Sequence, residues 1–260
     1  MGIEPAIEHA TPDTVLGLAA SCAVGDVDSA ARAVVARAAA RSGGYACLCN
    51  VHVLTVALHD PALHDALACA WRRFPDGAPV AWLQRRIGHA AAERVGGPDL
   101  MPRVAELGSD VALRHFLLGS THDVTRGVEE ALTRQSPGVQ FVGRHSPPFV
   151  ASAESDAAAV DEIRAASPHI VWCALGAPKQ ELWMRRVAPQ VAGVLFIGVG
   201  ASFDFIAQTK RRAPRWMRDS GLEWLYRLGS EPTRLAGRYL RTNSEFMLRS
   251  GFELTRRRLA

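Results

Sequence analysis

Two short, unbroken apolar runs set the tightest limit on how this chain can fold. Ile170 to Leu175 lies between Pro168 and Gly176, and Val194 to Val199 runs into Gly200. Apolar runs of this length, with no polar alternation, read as strands buried on both faces. Tyr45 to Cys49, Arg114 to Leu118 and Val139 to Val142 read as further strands. His52 to Ala70, Asp99 to Leu107 and Asp123 to Leu132 carry helical spacing, and Asp28 opens a capped amphipathic helix. The expected class is α/β, a Rossmann-like, mainly parallel sheet with helices on both faces. Such sheets bind ligands outside the carboxyl ends of their strands.

The residues that follow the first run, Gly176-Ala177-Pro178-Lys179-Gln180-Glu181, occupy that place. Gly and Pro fix a turn, while Lys179, Gln180 and Glu181 bring a cation, an amide and a carboxylate together. Those groups suit a polyhydroxylated, phosphate-bearing ligand. The segment equally reads as a helix start, with Pro178 at the first position and Glu181 in the first turn. Other candidates carry the same ambiguity. Pro75-Asp76-Gly77 is an ordinary turn signature that would expose a carboxylate. Asn50 either faces a ligand or caps the next helix, and Asp99 either binds a hydroxyl or starts one.

At 260 residues, with 48% hydrophobic and 22% charged residues, the chain can bury a substantial core. Its five cysteines lack a framework spacing and fit buried, reduced thiols. The start carries acidic residues and no long apolar core, unlike a secretory signal, and no run reaches the eighteen apolar residues of a membrane span. Charge is uneven. From Lys210 onward, 13 Lys or Arg face 5 Asp or Glu, a balance of +8 in a chain of net +4, which leaves about −4 for residues 1–209. Beyond Pro214 the sequence turns amphipathic and Arg-rich, with Trp224, Leu225, Tyr239 and Phe246 among the arginines. That pattern fits a helix lying on an anionic membrane, and equally a helix packed on the body with its Arg face in water.

Several other constellations carry little. Asp26 and Asp28 read as helix caps, and His52, His59 and His64 lack metal spacing. No nucleophile elbow appears, and no GxGxxG follows a strand.

An ordered set of motifs adds what the single segments do not. Asn50, Pro75-Asp76-Gly77-Ala78-Pro79, Glu93-Arg94-Val95-Gly96-Gly97-Pro98-Asp99-Leu100, Phe116 to Gly119, the Gly176 to Glu181 segment and Val194 to Asp204 come in turn. Arg211-Arg212-Ala213-Pro214, Gly221 to Arg227 and Glu231 to Arg234 follow. In this order the set resembles the WecG/TagA/CpsF glycosyltransferases over roughly residues 45 to 245. The resemblance implies inverting, metal-independent and cofactor-free transfer of an N-acetylmannosamine-like N-acetylhexosamine. The sugar would pass from a UDP donor to a polyprenyl-diphosphate-linked sugar in surface-polysaccharide or teichoic-acid-like synthesis, at the cytoplasmic face of the cell membrane.

On that resemblance Asp76 is the expected catalytic base. The expected binding residues are Asn50, Arg94, Gly97, Asp99, Gly119, Lys179, Gln180, Glu181, Gly200, Asp204, Arg227, Arg234 and Arg238. Residues 1–25 are expected as a variable segment without firm pattern, 26–210 as the α/β catalytic domain and 211–260 as a membrane-facing basic appendage. Leu48 stands where the family often has threonine, Gln208 where it usually has glycine, and Gly237 at a position that is often basic. Leu48 and Gln208 keep an alternative open, a non-catalytic nucleotide-sugar or lipid-binding partner of a polysaccharide assembly. The tail's apolar face would serve a homo-oligomer as well as a membrane. No nucleic-acid-reading motif is present.

Overall fold

The computed structural model describes residues 13–147, 153–219 and 222–259. Six strands form one sheet: β1 (Gly44–Cys49), β2 (Arg72–Pro75), β3 (Arg114–Gly119), β4 (Gln140–His145), β5 (Ile170–Ala174) and β6 (Leu195–Gly198). Their order is β2-β1-β6-β5-β3-β4, and every pair is parallel. Helices cover both faces, as the apolar runs demand. Along β1, Cys47 and Cys49 enter one core with Phe116, Val171, Cys173 and Phe196. Ala46 and Leu48 enter the other with Leu117, Trp172, Leu195 and Ile197. Successive side chains point to opposite faces, so a strand with two buried faces must be apolar at every position.

The structure departs from the sequence reading in three places. Strand β2 had no apolar signature, because Arg72 and Arg73 make up half of it. It lies at the sheet edge, where a strand pairs on one side only, and buried Arg73 donates to the carbonyls of Ser21 (3.2 Å) and Leu67 (2.5 Å). The segment expected as one helix from His52 to Ala70 is two, Val51–Ala57 and Pro61–Ala68. Asp60 caps the second by accepting from the amides of Ala62 and Leu63, and Pro61 occupies its first position. Within the segment expected to lack pattern, Val15–Ala20 is a helix with Val15, Leu18 and Ala19 fully buried.

That first helix is held by the last one. The long helix Pro232–Leu259 packs on Val51–Ala57 and Val15–Ala20 through buried Thr242, Phe246 and Ser250. Its Glu253 carboxylate accepts from the free amides of Val15 (3.3 Å) and Leu16 (2.8 Å). A carboxylate at a helix N-terminus satisfies orphan donors and complements the helix dipole. The outward arc carries Leu240, Met247, Leu248 and Phe252, each 60–75% exposed. Among the described residues no helix is long and apolar enough to cross a membrane.

Replacing Glu253 by Gln keeps a hydrogen-bonding oxygen and removes the charge. Urea denaturation of Glu253→Gln should show a loss of about 1 kcal/mol, typical of a charged helix cap. An unchanged midpoint would show that the contact is incidental.

Candidate active site

The parallel ladder carries the carboxyl ends of all six strands to one edge of the sheet. Asn50 follows β1, Asp76 follows β2, and Gly200 lies just beyond β6. Past the strand ends the backbone continues to pair. The Asp76 amide donates to the Cys49 carbonyl (2.9 Å) and the Val95 amide to the Pro75 carbonyl (2.8 Å). The second bond lays the Glu93–Gly96 segment beside Asp76, and Gly77 turns the chain away with a φ of +95°. The space beside Gly96 is correspondingly small. A methyl group there would stand 3.4 Å from Asp76 Oδ1, 2.9 Å from Arg94 Nη1 and 3.4 Å from Asp99 Oδ2. Asp76, Arg94 and Asp99 thus converge on one point.

Arginines from the later part of the chain reach the same point. Asp99 accepts two parallel bonds from the Arg212 guanidinium (2.7 and 2.6 Å) and one from Arg94 Nη2 (2.7 Å), and it pairs with Arg218 at 3.8 Å. Arg94 Nη1 also donates to Glu223 Oε2 (3.2 Å), at the start of the helix Glu223–Ser230. Arg227, on that helix, places its guanidinium 5.4 Å from the centre of the Phe205 ring. Burial pushes the Asp99 carboxyl up, but the Arg212 hydrogen bonds and charge outweigh it, and its pKa lies below the ordinary value. At Asp76 the balance goes the other way. Burial raises its pKa, with the Glu223 charge assisting, against the lowering pull of Arg94, Arg227 and the Asn50 amide. The two carboxyls are neighbours with opposite shifts, a pattern typical of groups with different roles.

A cavity of about 460 Å³ opens beside this cluster, lined by Val27, Ala78, Ala81, Arg85, Glu93, Arg94, Asp99 and Arg218. It combines apolar walls with three guanidinium groups. Among the described residues, no three His, Cys, Asp or Glu side chains gather as a metal-binding group.

The other expected site residues divide. Asn50 accepts from the Val53 amide (3.1 Å) as a helix cap, and its side chain also faces Asp76. Gln180 is 3% exposed and committed to the chain, since its Nε2 donates to Glu181 (2.9 Å) and its Oε1 accepts from the Gly200 amide (3.1 Å). It ties the β5 and β6 loops together and shapes the crevice floor. Glu181 is fully buried; burial raises its pKa, and one carboxyl oxygen has no hydrogen bond. Lys179 is exposed at the helix start. Gly97 is a packing position, where a methyl group would stand 2.1 Å from Ser202 Oγ and 3.2 Å from Leu48. Gly119 has a φ of +104° and lies against the Ala174 carbonyl, so backbone spacing determines that residue. Asp204 holds the following loop through Thr209 and Lys210, and Lys210 also bonds Glu231 (2.9 Å). The side chains of Arg234 and Arg238 lie outside the described residues.

Both departures from the family pattern have a physical account. Leu48 is buried and fills the space between β1 and the Gly97–Ser109 helix. Gln208 adopts a φ of +59°, the left-handed turn that glycine makes more easily, directly after the Ser202–Ile206 helix and its cap Ala207. The turn is therefore kept without the glycine. Arg212, Arg218 and Glu223 were not singled out from sequence, although the Arg211–Pro214 and Gly221–Arg227 motifs contain two of them.

The sequence pattern of the WecG/TagA/CpsF glycosyl transferase family matches residues 14–260. The chain belongs to this family of glycosyltransferases. Two similar proteins are N-acetylglucosaminyldiphosphoundecaprenol N-acetyl-beta-D-mannosaminyltransferases. That of Bacillus subtilis is 29% identical over 185 residues, 71% of each chain. That of Bacillus spizizenii is 29% identical over 192 residues, 74% of this chain and 73% of the relative. The match reaches through the Arg-rich tail, so the residues that converge on Asp99 from both halves all lie within it.

Gly96→Ala tests the convergence. The added methyl must displace Arg94 or Asp76, and shifts of about 1 Å at a reacting centre cost on the order of a hundredfold in rate. Turnover should fall to that extent with little change in melting temperature. Full activity would show that the three groups do not act together.

Proposed function

We propose that this glycosyltransferase moves an N-acetylhexosamine of the N-acetylmannosamine type from a UDP donor to a polyprenyl-diphosphate-linked sugar, with inversion. The observation that carries the reading is the Asp76 carboxylate, half-buried, with Arg94 and Arg227 among the charges around it. An inverting transfer needs a base on the acceptor hydroxyl and positive charge at the leaving diphosphate. Asp76 would take the proton as the hydroxyl oxygen forms its bond to the anomeric carbon. The bond from that carbon to the diphosphate oxygen breaks with its electron pair, and the arginines neutralise the UDP that departs.

The names of the two Bacillus relatives support the acceptor class and the sugar. The outer arc of the long helix supports action at a membrane surface. Leu240, Met247, Leu248 and Phe252 face outward beside Arg249 and Arg256, with the Arg256 guanidinium 5.7 Å from the Phe252 ring centre. Apolar side chains flanked by arginines suit an anionic bilayer.

The test is sugar transfer from UDP-N-acetylmannosamine to a lipid-diphosphate-N-acetylglucosamine acceptor, followed by UDP release and product mass. Turnover should persist in EDTA, since the reading assigns leaving-group charge to arginines. Binding of UDP-sugar without transfer to any acceptor would sink the reading in favour of a binding partner.

Asp76 gives a paired prediction. Folding raises its pKa, so this group favours the native state at low pH, and that contribution is lost as pH rises through the unfolded and then the raised folded value. Above the raised folded value the charged carboxylate is therefore a destabilising element. Asp76→Asn should melt at or above the wild-type temperature while losing on the order of a thousandfold or more in kcat. The acid limb of the wild-type kcat/KM profile should lie above the ordinary aspartate value of about 4. A limb at or below that value would remove Asp76 as the titrating base.

A further inference from the structure

The wall of the cavity beside Asp76 carries one carboxylate that the ion-pair cluster does not use. Glu93 lines the cavity and is exposed, and among the described residues no Lys, Arg or His lies within ion-pair range of its carboxylate. The three arginines of the same wall are engaged elsewhere. Arg85 donates to the Ala92 carbonyl (2.7 Å), Arg94 serves Asp99 (2.7 Å) and Glu223 (3.2 Å), and Arg218 pairs with Asp99 at 3.8 Å. Asp99, the other carboxylate of the wall, also takes the two-pronged bond from Arg212. Glu93 is thus the lining carboxylate whose oxygens remain open to a ligand.

Its position is set by the backbone. The Glu93 amide donates to the Gly25 carbonyl (3.1 Å), and Asp26, next in the chain, starts the helix Val27–Ala39 with a capping box. One turn therefore places both Val27 and Glu93 in the cavity wall. Two residues beyond Glu93, the Val95 amide bonds the carbonyl of Pro75, the residue before Asp76. Two residues of chain span at most about 7 Å, so Glu93 stands about one substituted sugar ring from the strand end that carries Asp76. Ala78 and Ala81, on the helix that follows Gly77, add small apolar surface to the same wall. A carboxylate accepts hydrogen bonds and repels phosphate, so Glu93 favours an uncharged, donor-bearing part of a ligand. The small apolar side chains beside it suit a methyl group. A pyranose with free hydroxyls and an acetamido group offers both, and a cavity of about 460 Å³ is of ordinary small-molecule size.

We propose that Glu93, with Val27, Ala78 and Ala81, forms an N-acetylhexosamine subsite, in which the carboxylate accepts from ring hydroxyls and the apolar wall takes the acetamido methyl. Glu93 is then a specificity-determining residue. A ligand without the hydroxyl it reads strips water from the carboxylate and returns no hydrogen bond, which is how a polar site rejects a close analogue. The inference rests on the glycosyl-transfer reading above. Donor and acceptor in that reading each carry an N-acetylhexosamine, so the ligands tested must separate them.

The experiment is calorimetric titration of the full chain and of Glu93→Gln with two pairs of ligands. One pair is UDP-N-acetylmannosamine and UDP; the other is a short-chain prenyl-diphosphate-N-acetylglucosamine and the same prenyl diphosphate without its sugar. Glu93→Gln should weaken a sugar-bearing ligand about tenfold, the scale on which a charge-assisted hydrogen bond exceeds a neutral one, and leave its sugarless partner unchanged. Loss confined to the nucleotide sugar assigns the subsite to the donor, loss confined to the prenyl compound assigns it to the acceptor, and loss in both means that the two sugars share the carboxylate. Each of these outcomes supports the proposal. Analogues with single ring hydroxyls replaced by hydrogen sharpen it: the wild type should lose about tenfold on one of them, and Glu93→Gln should be indifferent to that change. A merely structural role for Glu93 would leave the two penalties additive. A folded Glu93→Gln protein that binds all four ligands as the wild type does, or that weakens sugarless and sugar-bearing ligands alike, would overturn the proposal. A wild-type protein that shows the Glu93-dependent preference for sugar yet transfers none would instead defeat the functional reading and leave the subsite standing.

Discussion

The Asp99 carboxylate is the joint on which the arrangement depends. It stands in the first turn of the Gly97–Ser109 helix, which belongs to the α/β body, and takes its two-pronged bond from Arg212, just beyond that body. One carboxylate thereby fixes the path of the chain as it leaves the sheet and crosses back over the Asp76 edge. A planar guanidinium meeting a carboxylate along two parallel bonds has a narrow range of permitted geometries, which a lysine would not impose. The pair ties the start of the Arg-rich tail to the Gly97–Ser109 helix, and the packing of the long helix holds the tail farther along.

Asp76 illustrates how a carboxyl is tuned without a single dominant partner. Burial and a neighbouring glutamate favour the neutral form, while two arginines and an amide favour the anion. With burial the largest of these influences, the net effect is a raised pKa, the direction that makes the carboxylate a stronger proton acceptor. The neighbouring Asp99, shielded less by apolar groups and held by arginines, is kept ionised and serves as scaffold. Two aspartates close together are thus shifted in opposite directions by their surroundings.

Much of this was legible in the sequence, for identifiable reasons. A strand covered on both faces must be apolar throughout, so β1, β3, β5 and β6 announced themselves, and with them the side of the sheet where loops gather. Strand β2 did not, because an edge strand tolerates arginines and its buried Arg73 is satisfied by carbonyls that come from distant loops. That strand carries Asp76, so the turn was visible while its support was not. Gln180 looked like a ligand contact, yet its amide closes on Glu181 and Gly200, partners set by the pairing of β5 with β6. Arg212 gave no signal of its own, since the identity of its partner depends on tertiary packing across 113 residues.

The contact between Glu253 and the amides of Val15 and Leu16 has a consequence for how the molecule is made. Synthesis runs from the amino end, so those two amides must wait in water while more than two hundred further residues emerge. The opening helix is short, and a helix of six residues has little stability of its own. It therefore acquires its finished end only when the long helix docks, and the first of the described helices is among the last to be secured.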